Sequence, residues 1–234
     1  PPIPIIDVSV LKTRYLYPHN TDKRKIVLKT DKAPLTFKVG NKNFTFTESI
    51  TIDPVTTLDT GTWTEAKDYN IYLCDTGNGY EFKTSLNTTY PAGYNTDNSR
   101  RIGGFHTLCE NVPTITGHPL SGYQKGDILP NSIWDINHRP VSSPAGMIYV
   151  EALKKWVDIY IASYDGNTLI SQKTYSPTAS EFYTFIARGH AVKKEMLDLF
   201  EILTVNNYKP SYYGLTSPNG GATLAGVRCI SFEG

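Results

Sequence analysis

Apolar and polar residues alternate in short runs through the first half of the chain. Leu35, Phe37 and Val39 are separated by polar residues, and Phe44 and Phe46 repeat the pattern after Gly40-Asn41-Lys42. A period of two interrupted by a glycine-containing turn predicts a β-hairpin. A second hairpin is predicted from Tyr69–Cys74 and Tyr80–Thr84, joined by the turn sequence Asp75-Thr76-Gly77-Asn78-Gly79. Between the two, the Thr-, Asp- and Gly-rich run from Asp53 to Thr62 reads as a loop.

From Pro91 to Ser99 the chain is polar and turn-rich, which marks a candidate domain boundary. A short apolar run, Ile102–Thr107, follows. An irregular region then extends to about Gly146, punctuated by Pro113, Gly117, Pro119, Gly122, Gly126, Pro130, Pro140 and Pro144. Such a length of loop stays ordered only on an underlying core, and Trp134, Ile133 and Ile136 are the candidate anchors. Strand pattern returns at Lys155–Ser163, turns at Asp165-Gly166-Asn167 and continues to Thr174, the clearest hairpin signal in the sequence. One helix is predicted. Val192, Met196, Leu199, Phe200 and Leu203 fall on a single helical face, with Lys193, Lys194, Glu195, Asp198 and Glu201 mostly opposite. Such a face packs on a core. A short alternating strand, Val227–Phe232, closes the chain. Both short runs bracket the second half, and Ile102–Thr107 is expected to pair with Val227–Phe232, bringing Cys109 near Cys229.

Composition adds a few limits. The chain has 234 residues, 39% of them apolar, with 23 basic against 22 acidic side chains. That is enough for a core, and no stretch reaches the ~20 apolar residues of a membrane span. No basic cluster interleaved with aromatics points to nucleic acid. Sixteen tyrosines against two methionines fit exposed recognition surfaces and fit β-strands equally well. Cys74, Cys109 and Cys229 are too few for a disulfide framework and contain no C-x-x-C pair. They read as buried thiols of a protein made in a reducing cytoplasm.

Catalytic and metal signatures find no support. His19, His106, His118, His138 and His190 lack the spacing of a helical zinc site. Neither a G-x-S-x-G elbow nor a phosphate-binding loop occurs. Gly103-Gly104 reads as a close approach of backbones. No cofactor, no metal and no enzymatic activity are expected.

Three segments carry a family resemblance. They are Pro91–His106 (PAGYNTDNSRRIGGFH), Ser132–Pro140 (SIWDINHRP) followed by Ser143–Met147 (SPAGM), and Trp156–Ser163 (WVDIYIAS). In this order, across roughly residues 70–205, they resemble the phage major tropism determinants and related tail proteins. The resemblance implies an α+β, mostly β chain. An N-terminal β domain of hairpins or a sandwich (1–90), on the trimerisation and virion-attachment side, would precede a C-type-lectin-like receptor-binding domain (91–234) with one main helix and long irregular loops. It further implies a non-catalytic homotrimeric adhesin at the virion tail tip, made in the host cytoplasm. Its partners would be a host cell-surface receptor, protein or polysaccharide, and other tail proteins, without nucleic acid or membrane insertion. The alternatives are a structural tail or baseplate component and a tail-associated glycan-degrading enzyme. The chain departs from the family in a shorter N-terminal side and in Ala187-Arg188-Gly189-His190-Ala191, where a Gly-Lys-Arg-type segment is common. The Glu-Pro-Asn and Trp-Asn-Asp signatures of calcium-dependent lectins are absent, and Ser217-Pro218-Asn219 is a distant echo without an acidic ligand.

Receptor contacts are expected between the helix and the closing strand, at Asn206, Asn207, Tyr208, Ser211, Tyr212, Tyr213, Ser217 and Asn219. Tyr supplies area at low entropic cost and Asn and Ser supply adaptable hydrogen bonds, while Pro210 and Pro218 limit the loop's freedom. The other reading of this segment is a polar connection whose tyrosines pack inward. Tyr123, in the Gly122–Asp127 loop, is a second candidate. Trp134, Asp135, Asn137 and Arg139 are expected to be structural: a core anchor, two ties for loop backbone, and an ion-pair partner. Trimer formation is expected through the N-terminal hairpins, whose apolar faces (Phe37, Phe44, Phe46) need cover. A sandwich in which these faces cover each other is the alternative.

Overall fold

The computed structural model describes residues 13–31, 33–109, 111–112, 114, 116, 119–151, 154–159, 162–164 and 169–171. Both hairpins expected in the first half are present. β3 (Leu35–Val39) pairs with β4 (Lys42–Phe46), Phe37 opposite Phe44. Gly40 takes φ +54° at the first central position of the two-residue turn, where an L side chain is strained. A Cβ there would also run into the carbonyl of Asp97. β6 (Asp68–Asp75) pairs with β7 (Tyr80–Ser85) across Thr76–Gly79.

Two sheets build the body. One has the order β1-β2-β5, from Leu16–Pro18, Ile26–Leu28 and Ile50–Ile52. The other has the order β7-β6-β8-β9, adding β8 (Ser99–His106) and β9 (Trp134–Asp135). With the β3–β4 hairpin they share one core, which includes Leu16, Ile26, Phe37, Phe46, Tyr69, Ile71, Ile102 and Phe105. Burying each such side chain contributes about 1.5–3 kcal/mol. β6 is central, and Tyr69 to Cys74 are buried without alternation. A strand covered on both faces reads as a continuous apolar run.

Several expectations meet a different arrangement. β8 pairs with β6 from Asp68–His106 to Cys74–Ser99 and with β9 at Gly103 and Gly104. Strands from both sides of residue 90 thus share one sheet, and the turn-rich residues after it connect β7 to β8. The other member of the expected pairing with β8, Val227–Phe232, lies outside the described residues. Phe37 and Phe46 are buried in their own chain against Tyr15, Phe82 and Tyr80, so these two rings ask for no second copy to cover them. The expected strand Lys155–Ser163 serves two hairpins. Its first part, β11 (Lys155–Asp158), pairs back with β10 (Met147–Val150). The end of the run, β12 (Ala162–Tyr164), pairs with β13 (Leu169–Ser171). Among the described residues the only helical element is a 3-10 turn at Pro130–Ser132. The predicted helix Val192–Leu203 lies outside them.

The long irregular region is held by local bonds to older parts of the chain. Leu108 N–H donates to Asp127 O (2.8 Å) and Gly126 N–H to Leu108 O (2.8 Å). Trp63 Nε1 donates to Gly126 O (2.8 Å) and Arg24 pairs with Asp127 (3.0 Å).

Candidate functional site

Of the expected receptor contacts, Asn206, Asn207, Tyr208, Ser211, Tyr212, Tyr213, Ser217 and Asn219 lie outside the described residues. Tyr123 lies within them and is half-buried. Lys23 reaches across from the loop between β1 and β2, its ammonium 4.3 Å from the Tyr123 ring centroid and 2.8 Å from the Gly122 carbonyl it donates to. Burial pushes the Tyr123 phenol above its ordinary range. The backbone of Tyr123 is engaged too, donating to Leu120 O (3.0 Å) and accepting from Val112 N–H (2.8 Å). One face of the ring is therefore spent on Lys23, a partner a hundred residues away in sequence.

The Trp134–Arg139 segment forms a seam with the start of the chain. Trp134 is buried, and its indole lies over the approach of β9 to β8. A Cβ on Gly104 would stand 2.5 Å from the Tyr69 carbonyl and 2.8 Å from Trp134 Nε1. The close backbone approach expected of Gly103-Gly104 is thus what the packing uses. Asp135 is fully buried. Its Oδ2 accepts from Tyr15 N–H (2.6 Å) and Leu16 N–H (3.0 Å), and its Oδ1 from Asn137 N–H (2.8 Å) and His138 N–H (2.9 Å). Burial raises the carboxyl above its ordinary range, and the four backbone donors pull against that rise. Asn137 Nδ2 donates to Thr13 O (3.0 Å) and Arg14 Nη2 to Ile133 O (3.1 Å). Trp134, Asp135 and Asn137 are the structural ties the sequence suggested. Arg139, expected as an ion-pair partner, is exposed and forms no ion pair with a described carboxylate.

His138 leaves the seam for the next hairpin. Its ring meets Tyr149 (4.6 Å between centroids, edge-on) and Trp156 (5.2 Å). Nε2 is buried without a hydrogen-bond partner. Burial, with Arg14 nearby, lowers the imidazole to about 4. No periodicity could have joined these three rings, which come from a turn, β10 and β11.

A Ser, a His and an Asp also converge, so a nucleophilic site has to be weighed. His106 Nδ1 lies 2.9 Å from Asp68 Oδ1, which also accepts from Gly146 N–H (2.8 Å). Ser132 is buried, and its Oγ accepts from His106 N–H (2.8 Å) and lies within donating distance of Leu129 O (2.7 Å) and His106 O (3.2 Å). The hydroxyl thus serves the backbone of His106, and His106 is buried, out of a substrate's reach. The trio fastens β6 to the 3-10 turn and to the residues before β10. Among the described residues no group of three or more His, Cys, Asp or Glu could hold a metal ion. No described helix is long and apolar enough to cross a membrane.

Comparison with known proteins places this architecture. The chain is 32% identical over 134 residues to the tail fiber receptor-binding protein of Bordetella phage BPP-1, a match covering 56% of this chain and 31% of that protein. The solved M1 variant of the Major Tropism Determinant is 27% identical with a TM-score of 0.50, covering 68% of this chain and 38% of that one. The I1 variant gives 27% identity and a TM-score of 0.48, over 64% and 35%. The chain thus spans about a third of the length of the relatives it matches. The sequence profile described as the Mtd second domain matches residues 17–135, which is half of the chain and takes in both sheets but for Leu16 at the start of β1. This chain belongs to the Mtd second-domain family.

Proposed function

We propose that the chain is part of a bacteriophage tail-tip adhesin that recognises a host cell-surface receptor during adsorption and performs no catalysis. The observation that carries this is the 32% identity to a protein named as a tail fiber receptor-binding protein. In this reading the C-terminal part is a C-type-lectin-like domain with one main helix, and Asn206–Asn219 holds the receptor contacts. The two-unit division of the chain and a homotrimeric assembly on the virion belong to the same proposal. The body described above then acts as a platform. Its buried seam and the Asp68–His106 tie fix the strands leading into the C-terminal part, and a contact surface on rigid supports loses less entropy on binding.

The test is adsorption competition. Purified protein, added to host cells before the phage that encodes it, is expected to lower adsorption in proportion to its concentration. Unchanged adsorption under saturating protein would refute receptor recognition. Single Ala replacements of Tyr208, Tyr212 and Tyr213 locate the surface: a hot-spot tyrosine costs about 2 kcal/mol or more of affinity at constant melting temperature.

A further inference from the structure

Exposed apolar side chains gather on two loops of the body. Among the described residues, Leu86 is 48% exposed, Tyr90 42% and Val55 38%. All three sit on loops that meet at the end of β7. Thr84 N–H donates to Thr57 O (2.9 Å), Asp59 N–H to Thr84 O (2.9 Å), and Ala92 N–H to Asp59 Oδ2 (2.8 Å). These bonds stitch residues 54–60 to residues 84–92.

The surface is charge-free to an unusual degree for exposed loops. From residue 86 to residue 96 there is no Asp, Glu, Lys, Arg or His, and from 54 to 64 the only one is Asp59. The Asp59 carboxylate is occupied by backbone, accepting from Thr60 N–H (2.7 Å) as well as from Ala92. What remains outward is threonine, asparagine, tyrosine and aliphatic carbon. The loop is also held in shape from beneath. The Asn87 carbonyl accepts from Tyr72 Oη (2.8 Å) and Asn70 Nδ2 (3.1 Å), both reaching up from β6, and Asn87 N–H donates to Ser85 Oγ (3.0 Å). Tyr94 hydrogen-bonds Glu81 on β7. Two buried polar side chains are thus committed to fixing one loop carbonyl. The ring of Tyr90 makes no ring or cation contact with the described residues, in contrast to Tyr123.

We infer that the end of the body where residues 54–60 meet residues 86–92 is a second contact surface, and that it takes an uncharged saccharide. The chemistry matches on both counts. A neutral pyranose offers a face of C–H groups and an edge of hydroxyls. An open tyrosine ring and aliphatic neighbours suit the first, and threonine hydroxyls and asparagine amides suit the second. An anionic glycan or an acidic protein patch would find no basic side chain on the two loops themselves; Arg101, beneath them, is turned to Asn70 (3.4 Å). A preorganised loop keeps the ordering cost low, as a weak auxiliary contact requires. The biological use of the surface rests on the adhesin reading, whereas its chemistry does not.

Saturation-transfer NMR on the full chain tests this with malto-, cello- and N-acetylated chito-oligosaccharides as neutral probes and oligogalacturonate as the anionic one. At least one neutral probe is expected to receive saturation, with the same affinity at about 0.05 M and 0.5 M salt, since no ion pair is there to be screened. Tyr90→Ala and Leu86→Asn are each expected to weaken it about tenfold or more without lowering the melting temperature. Tyr212→Ala, in the expected receptor segment, should leave it intact. The inference is overturned if no neutral probe binds, if only oligogalacturonate binds, if both loop variants bind as well as the parent, or if Tyr212→Ala abolishes binding. It is equally overturned if Leu86→Cys cross-links between copies, which would make the surface a subunit contact. Should adsorption competition fail while the probe still binds, the adhesin reading falls and this surface stands.

Discussion

Tyr90 and Tyr123 both lie on loops that join strands of the same sheet, and they meet opposite fates. Over Tyr123 lies Lys23, and beneath its loop Asp127 holds Arg24 and the Gln124 N–H. The ring of Tyr90 meets no other ring and no cation among the described residues, and the residue is 42% exposed. What separates them is a pair of basic residues supplied by a distant turn, Lys23 and Arg24. A tyrosine-rich loop is therefore a recognition candidate only after its long-range neighbours have been counted.

Five changes would break or sharpen this contrast between an anchored and an open loop. Trp134→Ala removes the buried indole under the anchored side, and a large aromatic truncation costs about 3–5 kcal/mol. Thermal denaturation should show a collapsed transition or aggregation, and a variant as stable as the parent would remove Trp134 from the core. Asp135→Ala removes the side-chain acceptor of four backbone N–H groups, of which Tyr15 and Leu16 are buried and His138 keeps the Asp135 carbonyl (3.1 Å). Each unsatisfied donor costs about 1–3 kcal/mol before relaxation or water entry, so urea unfolding should reveal a loss of about 3 kcal/mol or more.

The third change is of pH. The imidazole of His138 titrates near 4 in the folded chain and near 6.5 when unfolded. A lowered folded value means the unfolded chain takes up the proton first. The stability it contributes is complete above about 6.5 and drains away as pH falls towards 4. Chemical denaturation across that window should show the slope, and His138→Phe should flatten it. A slope unchanged in the variant would assign it to other groups. Fourth, Lys23→Met uncovers Tyr123 at a cost of about 0.5–1 kcal/mol from the lost cation–ring contact, and should increase quenching of tyrosine fluorescence by a neutral quencher. Last, Tyr90→Ser on the open side should change stability by no more than about 0.5 kcal/mol. A larger loss would mean the ring is packed after all.

The sequence spoke clearly wherever the physics is local. The β3–β4 and β6–β7 hairpins follow from a period of two and from glycines placed where the turns need them. Trp134, Asp135 and Asn137 could be named as ties because a long loop must be tied somewhere. Non-local facts were illegible. Residues 91–99 join β7 to β8 in one sheet, a role their turn-rich composition does not reveal. The apolar run 155–163 looks like one strand because apolarity does not specify a partner. The covering of Tyr123 depends on Lys23, and the aromatic contact of His138 on Tyr149 and Trp156. Nothing in residue spacing encodes either.

The carboxylate of Asp135 has a consequence for how the chain is made. It satisfies the N–H groups of Tyr15 and Leu16, which precede it by 120 and 119 residues. During synthesis those two amides leave the ribosome long before their acceptor exists. At about 5–20 residues per second the wait is roughly 6–24 s. The first strand can meet β2 in that time, but its leading edge stays hydrated until residue 135 emerges and closes over it. Completion of the domain is thus timed by one late aspartate, and a ribosome stalled before that codon would hold a nascent chain whose first strand is still unlatched.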